Sequence, residues 1–295
     1  MRIAISGASG LLGTELVSAL RQSGHDIVRL VRREAQSVDE IAWDPAAGSL
    51  DPARVADVDA FVNLSGANIG QRWTTARKQE ILDSRIQTTS LLAAVAAVLD
   101  PRPALVSAGG VGIYGNRGDE ILTEDSELGD GFLADVGKAW EAAADPAREA
   151  GARVVGFRQG IVLSRKGGAL QKMLTPFKLG LGGRVGNGKQ WWSWVALDDV
   201  VAAYVCALEG ELSGEYNLVS PNPATAAQLT KALGRALGRP TAFPLPGIAV
   251  KTFFGEMGEA TLLEGQRALP ARLLDAGFTF AYPELDAAMT RALET

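Results

Sequence analysis

Gly7-Ala8-Ser9-Gly10-Leu11-Leu12-Gly13 follows a β-like run, Arg2 to Ser6, and leads into Leu11 to Gln22, where Leu12, Leu16, Ala19 and Leu20 recur at helical spacing. A G-x-x-G-x-x-G pattern in the order strand, turn, helix has a mechanism attached to each glycine. Gly7 allows the sharp turn, Gly10 lets a pyrophosphate approach the backbone, and Gly13 lets the helix pack closely on the sheet. The free N–H groups at the start of the helix then face the phosphates. Gly7, Ser9, Gly10, Leu11, Leu12 and Gly13 are therefore the expected dinucleotide-binding turn.

The next strand, Asp26 to Val31, selects the dinucleotide at its end. An acidic residue there binds a ribose 2′-hydroxyl, whereas arginine accommodates a 2′-phosphate. The chain reads Val28-Arg29-Leu30-Val31-Arg32-Arg33, and the nearest acid, Glu34, lies beyond both arginines. NADP(H) is thus the expected cofactor. Arg32 is the first choice for the phosphate, with Arg33 beside it; the competing reading makes both solvated loop charges.

Strand patterns recur at Asp59 to Leu64, Ala104 to Ser107, Arg153 to Phe157 and Glu215 to Val219. Between them lie helical stretches at Thr75 to Leu99, opened by Thr74-Thr75, at Phe132 to Glu149 and at Asp198 to Leu208. Such alternation predicts an α/β fold, a Rossmann-type doubly wound parallel sheet covered on both faces. Glycines break the chain from 167 to 188, which reads as loop and short helix. Thr225 to Leu237 is an amphipathic helix stopped by Gly238, and the last 50 residues are mostly helical in pattern. The expected division is a nucleotide-binding domain over 1–165, with 195–220 packing back onto it. Residues 166–194 and 221–295 then form a small, mainly helical C-terminal domain that takes the substrate.

Composition removes other classes. The 295 residues are 47% hydrophobic and 21% charged, which excludes disorder as the main state. The net charge of −5 gives no support to nucleic-acid binding. Apolar runs such as Leu91 to Leu99 are too short to cross a bilayer, and no leader pattern precedes the first strand, so a cytoplasmic protein without membrane contact is expected. With one cysteine and one histidine, no metal site is expected. Cys206 reads as a buried thiol in its helix and His25 as a surface turn residue.

The glycine spacing, together with Asn63-Leu64-Ser65-Gly66 after the third strand, resembles the extended short-chain dehydrogenase/reductases. The chain looks most like their atypical epimerase-family branch, in which an NAD-dependent epimerase/dehydratase-like part precedes a short C-terminal domain of unknown function. Ile41-Ala42-Trp43-Asp44, Val62 to Ile69, Ser84-Arg85, Trp140-Glu141 and Arg158 to Leu163 carry the resemblance. Ser193-Trp194, Asp198-Asp199, Leu262 to Gln266, Pro270 and Gly277-Phe278 extend it over nearly the whole chain. It implies that Leu64, Ser65, Gly66, Glu80, Arg85 and Ile161 neighbour the cofactor. Against that, Arg85 pairs with Glu80 or Asp83 on the helix surface, and Ile161 is simply apolar core. The implied activity is oxidoreduction of a small carbonyl or alcohol; the alternative is a catalytically silent NADP(H)-sensing or scaffold protein.

Typical members of that superfamily combine a Ser or Thr with a Y-x-x-x-K pair, the tyrosine as general acid/base and the lysine lowering its pKa. Aligned on Trp140-Glu141, the tyrosine position falls on Leu133 and the lysine position on Gly137. Lys138 is one residue off, a rotation of about 100°. The serine position appears as Gly109, and residues 131–150 contain no tyrosine. Tyr114 and Ser107 are the candidate catalytic substitutes, against packing for Tyr114 and cofactor or backbone bonding for Ser107. Lys189-Gln190-Trp191-Trp192-Ser193-Trp194 suits a substrate pocket or a packed domain junction. Arg184, Gln190, Trp192 and Trp194 are the candidate substrate contacts, and Asp198-Asp199 are expected to cap the following helix.

Overall fold

A computed structural model describes residues 1–294. Strands β1 (Arg2–Ser6), β2 (Asp26–Val31), β3 (Glu40–Ala42), β4 (Ala60–Asn63), β5 (Ala104–Gly110), β6 (Val154–Gln159) and β7 (Gly214–Leu218) form one sheet in the order β7-β6-β5-β4-β1-β2-β3. Every pairing is parallel. Ile3, Ile5, Phe61, Val62, Leu105 and Val106 are completely buried, as a sheet covered on both faces demands.

Helices α1 (Leu11–Gln22), α2 (Thr75–Val98), α3 (Phe132–Ala142), α4 (Asp145–Glu149) and α6 (Leu197–Glu209) lie against the sheet, while α5 (Gly168–Lys178) packs away from it. Leu16 and Leu20 of α1 and Val200, Ala203 and Tyr204 of α6 fill one face; Leu92, Ala93 and Ala96 of α2 fill the other. The strand order reverses between β1 and β4, and ligands of open parallel sheets lie outside the carboxyl ends at such a point. The remaining chain adds α7 (Ala226–Leu237), α8 (Gly247–Gly258), α9 (Ala271–Asp275) and α10 (Leu285–Glu294). A separate apolar cluster joins Leu174 and Phe177 of α5, Trp192 and Trp194, Leu229 and Leu233 of α7, and Met289 of α10. Thr225 and Gln228 close a reciprocal capping box at the start of α7, and Gly238 ends it at φ 60°.

Several sequence expectations need correction. The helix expected over Phe132 to Glu149 is two helices, because Pro146 stands in the first turn of α4 and the chain breaks at Ala143-Ala144. Strand β5 runs on to Gly110, since Gly109 and Gly110 still pair with Arg158 and Gln159. The three-residue edge strand β3, paired with β2, is too short to show a sequence pattern. Asp198 and Asp199 do not cap α6: Ala196 is its N-cap residue, without a side-chain bond. Asp199 is buried and accepts from the N–H groups of Ala281 (2.6 Å) and Tyr282 (3.1 Å), while Asp198 pairs with Arg291 (2.8 Å). Cys206 is half-buried rather than enclosed.

Candidate functional site

The glycine turn is closed by backbone. A Cβ on Gly7, at φ +71°, would stand 2.8 Å from the Leu64 carbonyl, and one on Gly13 would stand 2.3 Å from Gly7 O. Gly10 N–H donates to Gly7 O (3.0 Å), which ties the turn to the first residues of α1. No side chain caps α1, so its leading N–H groups stay open beside the exposed Ser9 and Gly10. The wall opposite is Leu64-Ser65-Gly66, where Ser65 N–H donates to Asn63 Oδ1 (3.2 Å).

Just beyond β2 the two arginines part. Arg33 forms a two-pronged pair with Glu40 of β3 (2.8 and 2.7 Å), and Glu40 also accepts from Gln36 N–H. These bonds, Arg33's foremost, hold the Glu40 carboxyl at about 2. Arg32 is exposed and makes no side-chain bond or ion pair among the described residues.

Glu80 is exposed and pairs with Arg77 (2.6 Å), not with Arg85. Arg85 turns inward instead. Its guanidinium stacks on Trp140 (4.8 Å) and donates to the carbonyls of Ala67 (3.1 Å) and Ile81 (3.0 Å), beside Gly66, with no carboxylate partner among the described residues. Burial, aided by the charge of Arg77, lowers its pKa to about 10.

A polar network that sequence reasoning missed closes the carboxyl ends of β1 and β4. Ser6 Oγ donates to Asn63 Oδ1 (2.7 Å), Asn63 Nδ2 donates to Thr88 (3.2 Å) and Thr89 (2.8 Å), and Trp140 Nε1 donates to Thr89 (2.9 Å). The available signal was the asparagine that ends an otherwise apolar strand. Ser107, opposite Asn63 in the register, is buried and donates to Ala108 O (3.2 Å).

Helix α3 lies against the turn after β5. A Cβ on Gly112 would meet Leu133 Cβ at 3.2 Å, and one on Gly137 would meet Ile113 Cβ at 2.8 Å. The two positions aligned with tyrosine and lysine thus carry leucine and bare backbone on the face that meets the loop. Lys138 reaches toward Asp130 instead (3.9 Å). Tyr114 is completely buried; its hydroxyl donates to Asn217 Oδ1 (2.8 Å) and accepts from Arg158 Nη1 (2.8 Å), and burial raises its pKa. Arg158 in turn forks onto Glu141 (2.7 and 2.8 Å).

Ile161 is half-buried, with its N–H bonded to Ser193 O (2.8 Å), and its backbone pairs with Trp194. Trp194 has no exposed surface and Trp192 is buried, so packing accounts for both. Gln190 donates to Val185 O (3.1 Å) and Leu262 O (2.7 Å). Arg184 is exposed, and Trp191 stacks with Arg267 (4.3 Å). His25 lies in its turn between Glu209 (2.9 Å) and the chain's amino group (3.4 Å). Among the described residues no His, Cys, Asp and Glu side chains gather to hold a metal, and no helix is long and apolar enough to cross a membrane.

The model of the NAD dependent epimerase/dehydratase family matches residues 3–218, and that of a domain of unknown function, DUF1731, matches 245–292. The chain belongs to the NAD-dependent epimerase/dehydratase family. An epimerase family protein of Mycobacterium bovis is 46% identical over 290 residues, 97% of this chain and 96% of that one. The human epimerase family protein SDR39U1 is 38% identical over 295 residues, 98% of each. Its crystal structure with NADPH superposes at a TM-score of 0.90, covering 100% of both chains at 37% identity. A nucleoside-diphosphate sugar epimerase of Corynebacterium glutamicum superposes at 0.83 with 36% identity, covering 99% of this chain and 58% of that one. A UDP-N-acetylglucosamine 4-epimerase of Bacillus cereus, at 17% identity and a TM-score of 0.78, shares the fold. Within the family, this member's α3 carries no Tyr-x-x-x-Lys pair.

Proposed function

We propose that the protein binds NADP(H) at the β1/β4 switch point and is an oxidoreductase for a small carbonyl or alcohol that works without a Tyr-x-x-x-Lys pair. The observation that carries this reading is the contrast at the end of β2. Arg33 is consumed by Glu40, whereas Arg32 is exposed and has no partner among the described residues, as a guanidinium meant for a 2′-phosphate should be. The NADPH in the human relative's structure supports it.

The glycine turn and the open start of α1 would hold the pyrophosphate, because no Cβ or capping side chain occupies that approach. Leu64, Ser65, Gly66 and Ile161 would flank the cofactor, with Arg85 presenting its remaining N–H groups beside Gly66. When bound, the nicotinamide supplies or accepts a hydride. The chain's own groups would bind, orient and exclude water rather than hand over a proton. Tyr114 is sealed between Asn217 and Arg158, Ser107 is spent on a backbone carbonyl, and Lys138 faces Asp130. The proton at the substrate oxygen is then left to water at the half-exposed end of β5, Gly109-Gly110. Arg184 and Gln190 remain the polar side chains proposed for substrate.

A second reading, an NADP(H)-binding protein without turnover, is favoured by Leu133 and Gly137 standing where the resemblance would align the tyrosine and lysine. Titration with NADPH and NADH by tryptophan fluorescence, followed by NADPH consumption across a panel of small carbonyls, separates the two. Substrate-dependent oxidation supports the enzyme; tight NADPH binding with no consumption supports the sensor. Failure to bind either nucleotide refutes both.

A further inference from the structure

Part of this acidic chain has the opposite charge pattern. Residues 161–197 contain Arg165, Lys166, Lys172, Lys178, Arg184 and Lys189 and no acid. Residues 216–255 contain Lys231, Arg235, Arg239 and Lys251, again with no acid. Lys178, Lys189, Lys231 and Arg239 are exposed, and their side chains make no hydrogen bond or ion pair among the described residues. Lys231 and Arg239 line one open depression of about 320 Å³, together with Arg235, which pairs with Asp286.

The two segments are joined edge to edge. Gly183 bridges Ala242 and Val185 bridges Leu245, with Phe243 N–H donating to Gly182 O (3.2 Å) and Leu245 N–H to Arg184 O (2.9 Å). This junction brings Leu179 and Leu181, just past α5, close to Phe243 and the start of α8. All three stand largely in water, as do Ile248 (81% exposed) and Phe253 (71%) on α8. Residues 251–254 of α8 are all exposed, while Val250, Met257 and Gly258 are its buried anchors. Large exposed apolar side chains are concentrated in these two adjoining segments, more densely than the scattered exposed residues of an ordinary surface.

We propose that this lobe docks on the surface of an anionic lipid bilayer, its apolar side chains entering the headgroup layer while its cations meet headgroup phosphates. Charge complementarity decides the occupant. A second copy seated on the same face would set uncompensated cations against one another, whereas an anionic surface neutralises them. Exposed aromatic and aliphatic side chains bordered by lysine and arginine are the composition an interfacial helix needs, and the long basic stems reach past the apolar ones to the headgroups. The length of apolar runs, on which membrane contact was excluded from sequence, bears only on spanning; docking at the surface needs no span.

Flotation of the full chain with phosphatidylcholine vesicles, with and without phosphatidylglycerol, tests it at low and high salt. The expected result is binding to the anionic vesicles alone, weakened about tenfold or more by high salt. Lys178→Glu with Arg239→Glu, and separately Phe243→Ser with Phe253→Ser, should each weaken binding about tenfold or more at unchanged melting temperature. No binding, equal binding to neutral vesicles, or undiminished binding by both variants would overturn the proposal. So would a dimer in sedimentation velocity that Phe253→Ser dissolves, which would assign the patch to a second copy.

Discussion

Replacing Arg32 and Arg33 one at a time separates cofactor selection from the stability of the sheet edge. Arg32 has no partner among the described residues to release or compensate, so Arg32→Ala removes only what it gives the ligand. A hydrogen bond to a charged group contributes about 1.5–3 kcal/mol, and an exposed one is partly screened. NADPH affinity should therefore fall roughly tenfold, at the lower end of that range, while NADH affinity stays unchanged. Arg33→Ala acts elsewhere. It strips the two-pronged bond from Glu40, whose side chain is only 3% exposed, and leaves the carboxylate with Gln36 N–H and Arg29 (3.2 Å). That variant should melt earlier with its preference for NADPH intact. The assay is tryptophan quenching by each nucleotide at fixed ionic strength, with thermal melts of all three proteins. Added salt should weaken NADPH binding more in the parent than in Arg32→Ala. If Arg32→Ala loses both nucleotides equally, or if Arg33→Ala alone loses NADPH selectively, the assignment at the end of β2 is wrong.

Gly13→Ala places a methyl 2.3 Å from Gly7 O and 2.7 Å from Ala8 Cα, both backbone, so a loss of about 1–3 kcal/mol in urea melts and of nucleotide quenching is expected. Tyr114→Phe strands Asn217 Oδ1 and Arg158 Nη1; stability should drop by about 1–3 kcal/mol while any turnover per folded molecule is kept, and a selective loss of turnover would restore Tyr114 as a catalytic candidate. Burial, with the charge of Glu141 adding, pushes Glu215 from 4.5 to about 7 against Arg148, Arg158 and Arg272. The native state then holds this proton more tightly than the unfolded chain, so stability should fall by up to about 3 kcal/mol as pH rises from about 4.5 to about 7. Glu215→Gln should flatten that part of the profile, and an unchanged slope in urea melts across this range would show that Glu215 is not its source.

What could be read along the chain was what short-range geometry dictates. The glycine turn shows as a seven-residue pattern and the strand–helix alternation follows from local periodicity, so the doubly wound parallel sheet was legible, while the contact of Gly7 with Leu64 and the strand order were not. Arg32 was preferred to Arg33 from sequence, but Arg33's pairing was not legible, because it is made by Glu40 on a three-residue edge strand too short to show a pattern. Trp192 and Trp194 offered the same apolar surface to either a pocket or a core. Burial was decided by the pairing of Trp194–Ala196 with Ile161–Leu163 and of Trp192 with Ala224, contacts some thirty residues away. Tyr114 looked available because its two partners, Arg158 and Asn217, arrive from β6 and β7. Pro146 was in plain view, and the break between α3 and α4 is the one miss that local rules should have caught.

The alignment on Trp140-Glu141 has the widest consequence. With Leu133 over Gly112 and Gly137 against Ile113, each bare glycine faces a side chain of the opposing segment. A Cβ at either glycine would meet its neighbour at 3.2 Å or less, so α3 and the turn after β5 are fitted to one another in the absence of the usual pair. Gly137→Lys would therefore push α3 away from Ile113 before its amine could approach a ribose, and Leu133→Tyr would stand without a lysine beside it. The family's acid/base chemistry is not one substitution away in this chain. At the positions that the resemblance aligns with that pair, α3 and the turn after β5 make a close helix–loop contact instead.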